Sequence, residues 1–173
     1  MIEIVTYHKT TNYGALLQSL SLKEFIEKIS NSNVKMCEYH PEKLIFAECY
    51  RPLITKNLKK FLQTLKKNLE IYFWYRDAFK SKKKDESSKF YVYGSDEIWN
   101  FTNAYHGYDP YYFGKDNNLN KISYAASIGR SSFNNIKDNL RNEITNCLNK
   151  FNHISVRDHN SFNFVNKLTG IKP

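Results

Sequence analysis

Short polar stretches containing small residues follow apolar segments at four points along the chain. The apolar segments are predicted strands, and the stretches after them are YHKTTNYGA, YGSDEIWN, AASIGR and VRDHNS. Segments with the spacing of amphipathic helices alternate with these strands, which is typical of a parallel sheet. Because ligands bind beyond the carboxyl ends of parallel strands, the four stretches are expected to meet at one functional edge.

Runs rich in β-branched and aromatic residues predict five strands, over 2–7, 34–39, 90–93, 122–126 and 154–157. Apolar residues at helical spacing predict helices over 15–29, 58–73, 136–151 and 161–168. A charged loop is predicted over 82–88. The expected fold class is α/β, with a Rossmann-like parallel sheet, helices on both faces and a single domain over residues 1–173.

The first polar stretch joins a strand to a helix start. Gly14 permits close backbone approach there, and the N–H groups and dipole of a helix start attract anions. Asn12 is suited either to cap the helix or to bond a ligand hydroxyl. Tyr13 offers a ring for stacking on a sugar, and Gln18 lies one turn past Gly14 on the same side. The competing interpretation is an ordinary capped helix with a buried tyrosine.

The second stretch offers acid–base chemistry. Gly94 lets the chain turn out of a strand, so that Ser95 and Asp96 lie at its end. Asp96 is a candidate general base for a substrate hydroxyl, or merely the cap of a following helix. Trp99 is either a sugar-stacking face or, as most tryptophans are, part of the core. His8 is a second candidate acid or base, with a structural histidine as the alternative.

The remaining candidates complete an expected substrate-binding set. Ser127 and Gly129 follow one predicted strand, Arg157 ends another, and Asn100 lies in the second stretch. Arg157 is suited to clamp a phosphate or carboxylate, although pairing with Asp158 or with a helix C-terminus is an equally simple role. His, Cys and acidic residues do not recur at metal-ligand spacing, so neither a metal nor a cofactor is expected.

Residues 56–84 are strongly basic. They hold ten Lys or Arg against two acidic residues, a net charge of +8 within a chain of +9. Such a surface favours an anionic partner. Its apolar stripe, with lysines opposite, suits either an anionic membrane interface or a helix packed on the sheet with a solvated lysine face, which is the simpler interpretation. Nucleic acid is not expected, because no RNA-binding strand motif or clear helix-turn-helix is present.

The sequence predicts a cytoplasmic protein. It has no apolar run long enough to span a membrane and no signal-peptide pattern. The cysteines at 37, 49 and 147 are odd in number and widely separated, which indicates reduced thiols. The basic segment suggests, in addition, peripheral association of this cytoplasmic protein with the inner face of a membrane.

Taken in order, the four stretches resemble the polysaccharide pyruvyl transferase family. The motifs that carry the resemblance are NYGALLQ, GSDEIWN, YAASIG and SVRD, and the similarity extends over nearly the whole chain. Glu97 stands where the family usually has Gln, Ile128 where it has Phe, and Asp158 where it has Glu. Of these departures, Glu97 adds a charge beside Asp96.

The resemblance implies the N-terminal half of a glycosyltransferase-B-like fold, with the second, C-terminal domain absent from this chain. It implies transfer of pyruvate from phosphoenolpyruvate to a hydroxyl of a sugar acceptor, in some cases lipid-linked, in bacterial surface polysaccharide biosynthesis. Asp96 or His8 would accept the hydroxyl proton, while Arg157 and the helix start at Gly14 would help to hold the anion. An isolated half is expected to be catalytically incomplete and to self-associate through the face left uncovered.

Two other functions fit the same residues. A glycosyltransferase of this architecture would bind a sugar nucleotide and ignore phosphoenolpyruvate. A non-catalytic carbohydrate-binding or interaction domain would bind sugar without turnover. Whether the chain is an enzyme is therefore left open by its sequence.

Overall fold

A computed structural model describes residues 1–79, 90–105 and 107–173 of the chain. The strands are β1 (Ile2–Val5), β2 (Val34–Met36), β3 (Phe90–Tyr93) and β4 (Asn120–Ser123). The α-helices are α1 (Tyr13–Ser30), α2 (Glu42–Ile45), α3 (Leu58–Ala78), α4 (Asp138–Leu148) and α5 (His159–Thr169). A π-helical segment (Phe46–Tyr50) and a 3₁₀ turn (Arg51–Leu53) continue α2, and a further 3₁₀ turn covers Phe133–Asn135.

The four strands form one parallel sheet in the order β2-β1-β3-β4. Ile4 of β1 aligns with Met36 and Val92 on its two sides, and Val92 aligns with Ile122. The chain passes from β1 to β2 on one side and then returns to β3 on the other. The connections that leave β1 and β3 therefore diverge, and the carboxyl ends of these strands are the place where sheets of this kind form a ligand-binding crevice.

Both faces of the sheet are covered by helices, because successive side chains point to opposite sides. Val5 and Tyr93 pack into the larger core with residues of α4 and α5. Ile4 and Val92 pack on the other side, with Leu22 of α1. The prediction of a Rossmann-like parallel α/β sheet with helices on both faces is confirmed.

The predicted fifth strand is not a regular strand. Isolated parallel bridges join this segment to β4 and its continuation, between His153 and Ile122 and between Val156 and Ala126. The ladder is interrupted where Ala125 adopts a φ of +49°. The segment still follows the edge of the sheet, since the Arg157 N–H donates to the Ala126 carbonyl at 3.1 Å. Arg157 therefore lies at the edge of the sheet where β4 ends.

Other element boundaries also differ from those predicted. β1 and β2 end earlier, at Val5 and Met36, and α3 extends five residues further, to Ala78. The helical turns over 42–53 were not predicted, because this short segment has no clear periodicity and contains Pro52. The charged loop predicted over 82–88 lies outside the described residues.

Gly94 is required where β3 leaves the sheet. Its φ is +119°, and a Cβ at this position would lie 2.1 Å from the carbonyl oxygen of Tyr124. Its N–H donates to the Val5 carbonyl at 3.1 Å, which holds the turn beside β1. Only glycine permits this approach between the chain segments that follow β3 and β4.

We expect Gly94→Ala to lower the free energy of unfolding by about 3 kcal/mol or more, because the new methyl group would overlap a backbone oxygen fixed by the sheet. Gly170→Ala is the matched control: its φ is also positive, at +75°, but a Cβ there has no atom within 4 Å. That change should cost only about 1 kcal/mol. Denaturant unfolding measures both, and equal losses would contradict the importance of the close approach.

Candidate functional site

The crevice between β1 and β3 is bounded by the start of α1. Asn12 caps this helix, and its Oδ1 accepts from the Gly14 N–H at 2.9 Å. Gln18 donates from Nε2 to the carbonyl oxygen of Ser95, which ties α1 to the loop after β3. The sequence-predicted residues of the first and second stretches are therefore brought together.

Tyr13 is exposed at the start of α1, and 50% of its surface is accessible. The alternative of a capped helix with a buried tyrosine is correct for the cap and wrong for the tyrosine. The Nζ of Lys67 lies 5.3 Å from the centroid of the Tyr13 ring, so a cation from α3 also reaches this position. Asn12 and Gly14 are exposed as well, and all three are accessible to a ligand.

Asp96 is half-buried in the loop after β3 and does not cap an α-helix, because turns rather than a helix follow it. Its Oδ1 accepts from the Glu97 N–H at 2.7 Å. Burial raises the pKa of the Asp96 carboxyl above its ordinary value, although the Glu97 N–H and the charge of Arg157 oppose the shift. A raised pKa makes this carboxylate a better proton acceptor near neutral pH.

Arg157 forms an ion pair with Glu97, with Nη2 3.7 Å from Oε1. The charge of the guanidinium opposes the raised pKa of Asp96. The pKa of Asp158 is lowered, against the effect of burial, by hydrogen bonds from Ser127 and Ser161 and, to a smaller extent, by the charge of Arg157. Both side chains of the pair are more than a third exposed, at 38% and 46%, so solvent screens the interaction and the pair is weak. Arg157, the cation expected to bind an anion, is thus present at the site, and Glu97 is its acidic neighbour.

Ser127 and Asn100 are buried and hold the loops of the site together. The Ser127 Oγ donates to Asp158 Oδ2 at 2.7 Å and accepts from the Gly129 N–H at 2.9 Å. The Asn100 Nδ2 donates to Glu97 Oε2 at 3.2 Å. A Cβ on Gly129 would lie 2.4 Å from that same oxygen. These three predicted binding residues therefore position the loops and Glu97 in this structure.

Trp99 and His8 are fully buried, which matches the structural alternatives that the sequence left open. The Trp99 indole donates from Nε1 to the Tyr112 carbonyl at 2.9 Å, and its ring presents no free face to a sugar. The Nδ1 of His8 lies 3.0 Å from the Thr6 carbonyl, and its ring packs 4.5 Å from that of His40. Ser95 is also buried and contributes its carbonyl to Gln18.

Glu48 is a residue of the site that sequence reasoning missed. Its Oε2 accepts from the Thr10 hydroxyl and, at 3.1 Å, from the Thr11 N–H. It thereby fixes the loop after β1, and its charge contributes to the raised pKa of Asp96. Glu48 lies in the π-helical segment, where no motif or periodicity indicated its role.

The site offers a carboxyl with a raised pKa, a guanidinium, an exposed aromatic ring and a helix N-terminus. This set suits proton transfer to or from a bound hydroxyl and the binding of an anion. Within residues 1–79, 90–105 and 107–173, no group of three or more His, Cys, Asp and Glu side chains is placed to hold a metal ion.

Buried histidines make the fold beside this site sensitive to mild acid. Burial lowers the pKa of His8 to about 4 and that of His40 to about 3, so both rings are neutral in the folded protein. The unfolded chain takes up protons below about pH 6.5. The free energy of unfolding should therefore fall as the pH drops from about 6.5 towards 4, with His8 alone contributing about 2 kcal/mol at pH 5.

We expect His8→Phe, which keeps a ring in the same space, to reduce this loss. The measurement is urea unfolding of each protein at about pH 7.5 and about pH 5. The parent protein, measured at both pH values, is the control. The same pH dependence in His8→Phe as in the parent would contradict the prediction.

The sequence matches the model of a known protein family. The sequence model described as polysaccharide pyruvyl transferase matches residues 12–173. This range includes the start of α1, the loops after β3 and β4, and Arg157. No match was found to a curated protein or to a solved structure.

Proposed function

The chain belongs to the polysaccharide pyruvyl transferase family, and from this membership we propose that it transfers pyruvate from phosphoenolpyruvate to a sugar hydroxyl in bacterial surface polysaccharide biosynthesis. One observation carries the proposal. The half-buried carboxyl of Asp96 and the guanidinium of Arg157 lie close enough at one edge of the sheet for their charges to interact. A proton acceptor and an anion-binding cation are two of the groups that this transfer requires.

The reaction joins a sugar oxygen to C2 of the enolpyruvyl group: the hydroxyl proton passes to a base, and C3 takes up a proton from solvent. A second hydroxyl of the sugar then displaces phosphate from C2, its proton leaves with the phosphate, and the product is a cyclic ketal. In this proposal Asp96 accepts a hydroxyl proton, for which its raised pKa suits it. Arg157 holds the phosphate or carboxylate of the donor, assisted by the N-terminus of α1.

The sugar acceptor is proposed to lie against the start of α1. Tyr13 offers an exposed ring for stacking on a sugar face. Asn12 is exposed beside it, and the half-buried Gln18 approaches from the next turn. The acceptor hydroxyl would then lie between this helix start and Asp96, because Gln18 already bonds to the residue before Asp96.

We expect phosphoenolpyruvate to bind the purified chain at low salt, as measured by isothermal titration. Arg157→Ala should weaken binding at least about tenfold, since a charge-assisted pair is lost. Asp96→Asn should not weaken binding, since it removes a carboxylate close to the donor, yet it should lower any phosphate release in the presence of acceptor by roughly 10²–10⁴-fold.

Other outcomes assign a different function. Absence of phosphoenolpyruvate binding to a folded, monodisperse sample would contradict a donor site in this chain. Binding of a sugar nucleotide in its place would indicate a glycosyltransferase. Carbohydrate binding with neither donor would indicate a non-catalytic domain. Circular dichroism of each variant separates loss of binding from loss of folding.

The acidic neighbour of Arg157 gives a second prediction. We expect Glu97→Gln to bind phosphoenolpyruvate roughly fivefold more tightly, because removing one carboxylate frees the guanidinium and removes a charge that repels the donor. Glu143→Gln is the matched control, since Glu143 pairs with Lys115 at 2.7 Å on another part of the surface. Unchanged or weaker binding in Glu97→Gln would show that Glu97 does not compete for Arg157.

A further inference from the structure

Helix α3 leaves an apolar stripe exposed. Leu58, Leu62, Leu69 and Phe73 recur at i, i+4, i+11 and i+15, which places them on one face of a helix. Their exposed fractions are 71%, 54%, 48% and 51%. We call these four residues the α3 stripe. The simpler interpretation of the sequence, a helix that packs its apolar side on the sheet and leaves a solvated lysine face, is wrong for these four residues, although the lysine face is exposed as expected.

The helix contacts the protein through a different side. Ile71 is only 6% exposed, and the Asn68 Nδ2 donates to the Cys49 carbonyl at 2.9 Å. Three and four residues separate Asn68, Ile71 and Tyr75, so these positions form a second face. Ile71 and Tyr75 line a cavity of about 260 Å³ together with Thr10. The α3 stripe is thus not needed to attach the helix.

Lys59 and Lys66 lie beside the stripe, and Lys60 and Lys67 lie on the far side of the helix. All four lysines are exposed, and the helix carries five basic residues against two acidic ones. Tyr72 and Trp74 flank Phe73 at the C-terminal end and are 61% and 40% exposed. An apolar face bordered by lysines, with aromatic residues at one end, is the composition of a helix that lies in an anionic membrane interface.

We propose that α3 binds in the plane of an anionic membrane surface, with the α3 stripe in contact with the acyl boundary and the lysines at the level of the lipid phosphates. The positive charge of the lysines favours an anionic membrane surface over a second copy of the chain as the binding partner. A symmetric pairing of two α3 stripes would bring the lysines of one copy against those of the other. No helix in the described part of the chain is long and apolar enough to cross a membrane.

Membrane contact would place the candidate site at the lipid surface. Lys67 of α3 lies over the ring of Tyr13, at the start of α1. Thr10 and Thr11, next to that helix start, line the same cavity as Ile71 and Tyr75 of α3. The placement of the candidate site at the lipid surface rests on the proposed function, and it predicts that the acceptor sugar is presented at the membrane. The membrane contact itself rests on α3 alone.

The test is co-sedimentation of the chain with vesicles of phosphatidylcholine alone and of phosphatidylcholine with phosphatidylglycerol. We expect binding to the anionic vesicles and a loss of at least about tenfold in the triple variant Leu62→Ser, Leu69→Ser, Phe73→Ser, because apolar contact area is removed. The matched control is Leu17→Ser, Phe25→Ser, Ile29→Ser on α1, where the parent residues are 54%, 52% and 64% exposed. This control should bind as the parent does.

Two further measurements separate the charge from the apolar contact. Lys59→Gln and Lys66→Gln should each weaken binding to the anionic vesicles roughly fivefold, and added salt should do the same. In a variant carrying Trp74→Phe and Phe73→Trp, tryptophan emission should shift to shorter wavelength when vesicles are added, since residue 73 enters the acyl boundary. Trp99 is buried and its emission should not change.

Several results would overturn the proposal. They are equal binding to neutral and anionic vesicles, loss of binding in the α1 control with retention in the α3 variant, and absence of binding by the parent. A dimer in sedimentation velocity that the α3 variant abolishes would assign the stripe to a second copy. Titration with phosphoenolpyruvate requires no lipid, so failure of the membrane contact and failure of the proposed function are distinguishable.

Discussion

The parallel register of β1, β3 and β4 is the constraint on which the site depends. Ile4, Val92 and Ile122 lie side by side, so the three strands end at the same level. Their loops must then emerge next to one another, and Gly94 allows the chain after β3 to touch the chain after β4. Hydrogen bonds between the strands therefore bring the loops of the site together, and the contact of Gln18 with Ser95 adds the start of α1.

Two kinds of polar residue share this edge. Buried side chains such as Ser127 and Asn100 have their hydrogen-bonding groups engaged within the protein. Burial without such partners would be costly, so these contacts fix the loops. Asp96 and Arg157 retain access to solvent. A rigid buried layer beneath accessible charged groups is the arrangement that preorganised binding requires.

Sequence patterns predicted the parts of this structure that depend on local chemistry. The alternation of strands and helices and the cap formed by Asn12 follow from periodicity and side-chain type. The burial of individual side chains was harder to predict, because His8 and Trp99 have the same chemistry in a core as in a binding site. Only tertiary packing, by Tyr75 on His8 and by Phe113 on Trp99, distinguishes the two. Likewise, the periodicity of α3 indicates an apolar face but not whether the protein covers it.

The contact between Arg157 and Glu97 also bears on how a ligand would leave. With Glu97 beside it, the guanidinium has an internal counter-ion whenever the crevice is empty. A small monovalent anion of the solvent only exchanges one weak, solvent-screened partner of the guanidinium for another and gains little. In the proposed arrangement an anion with two separated charges would gain more, since one charge would contact the guanidinium and the other the helix end. In the proposed reaction such a ligand would be divided into two products, each held at one point only, and the neighbouring carboxylate would then compete with either of them for the guanidinium and favour product release.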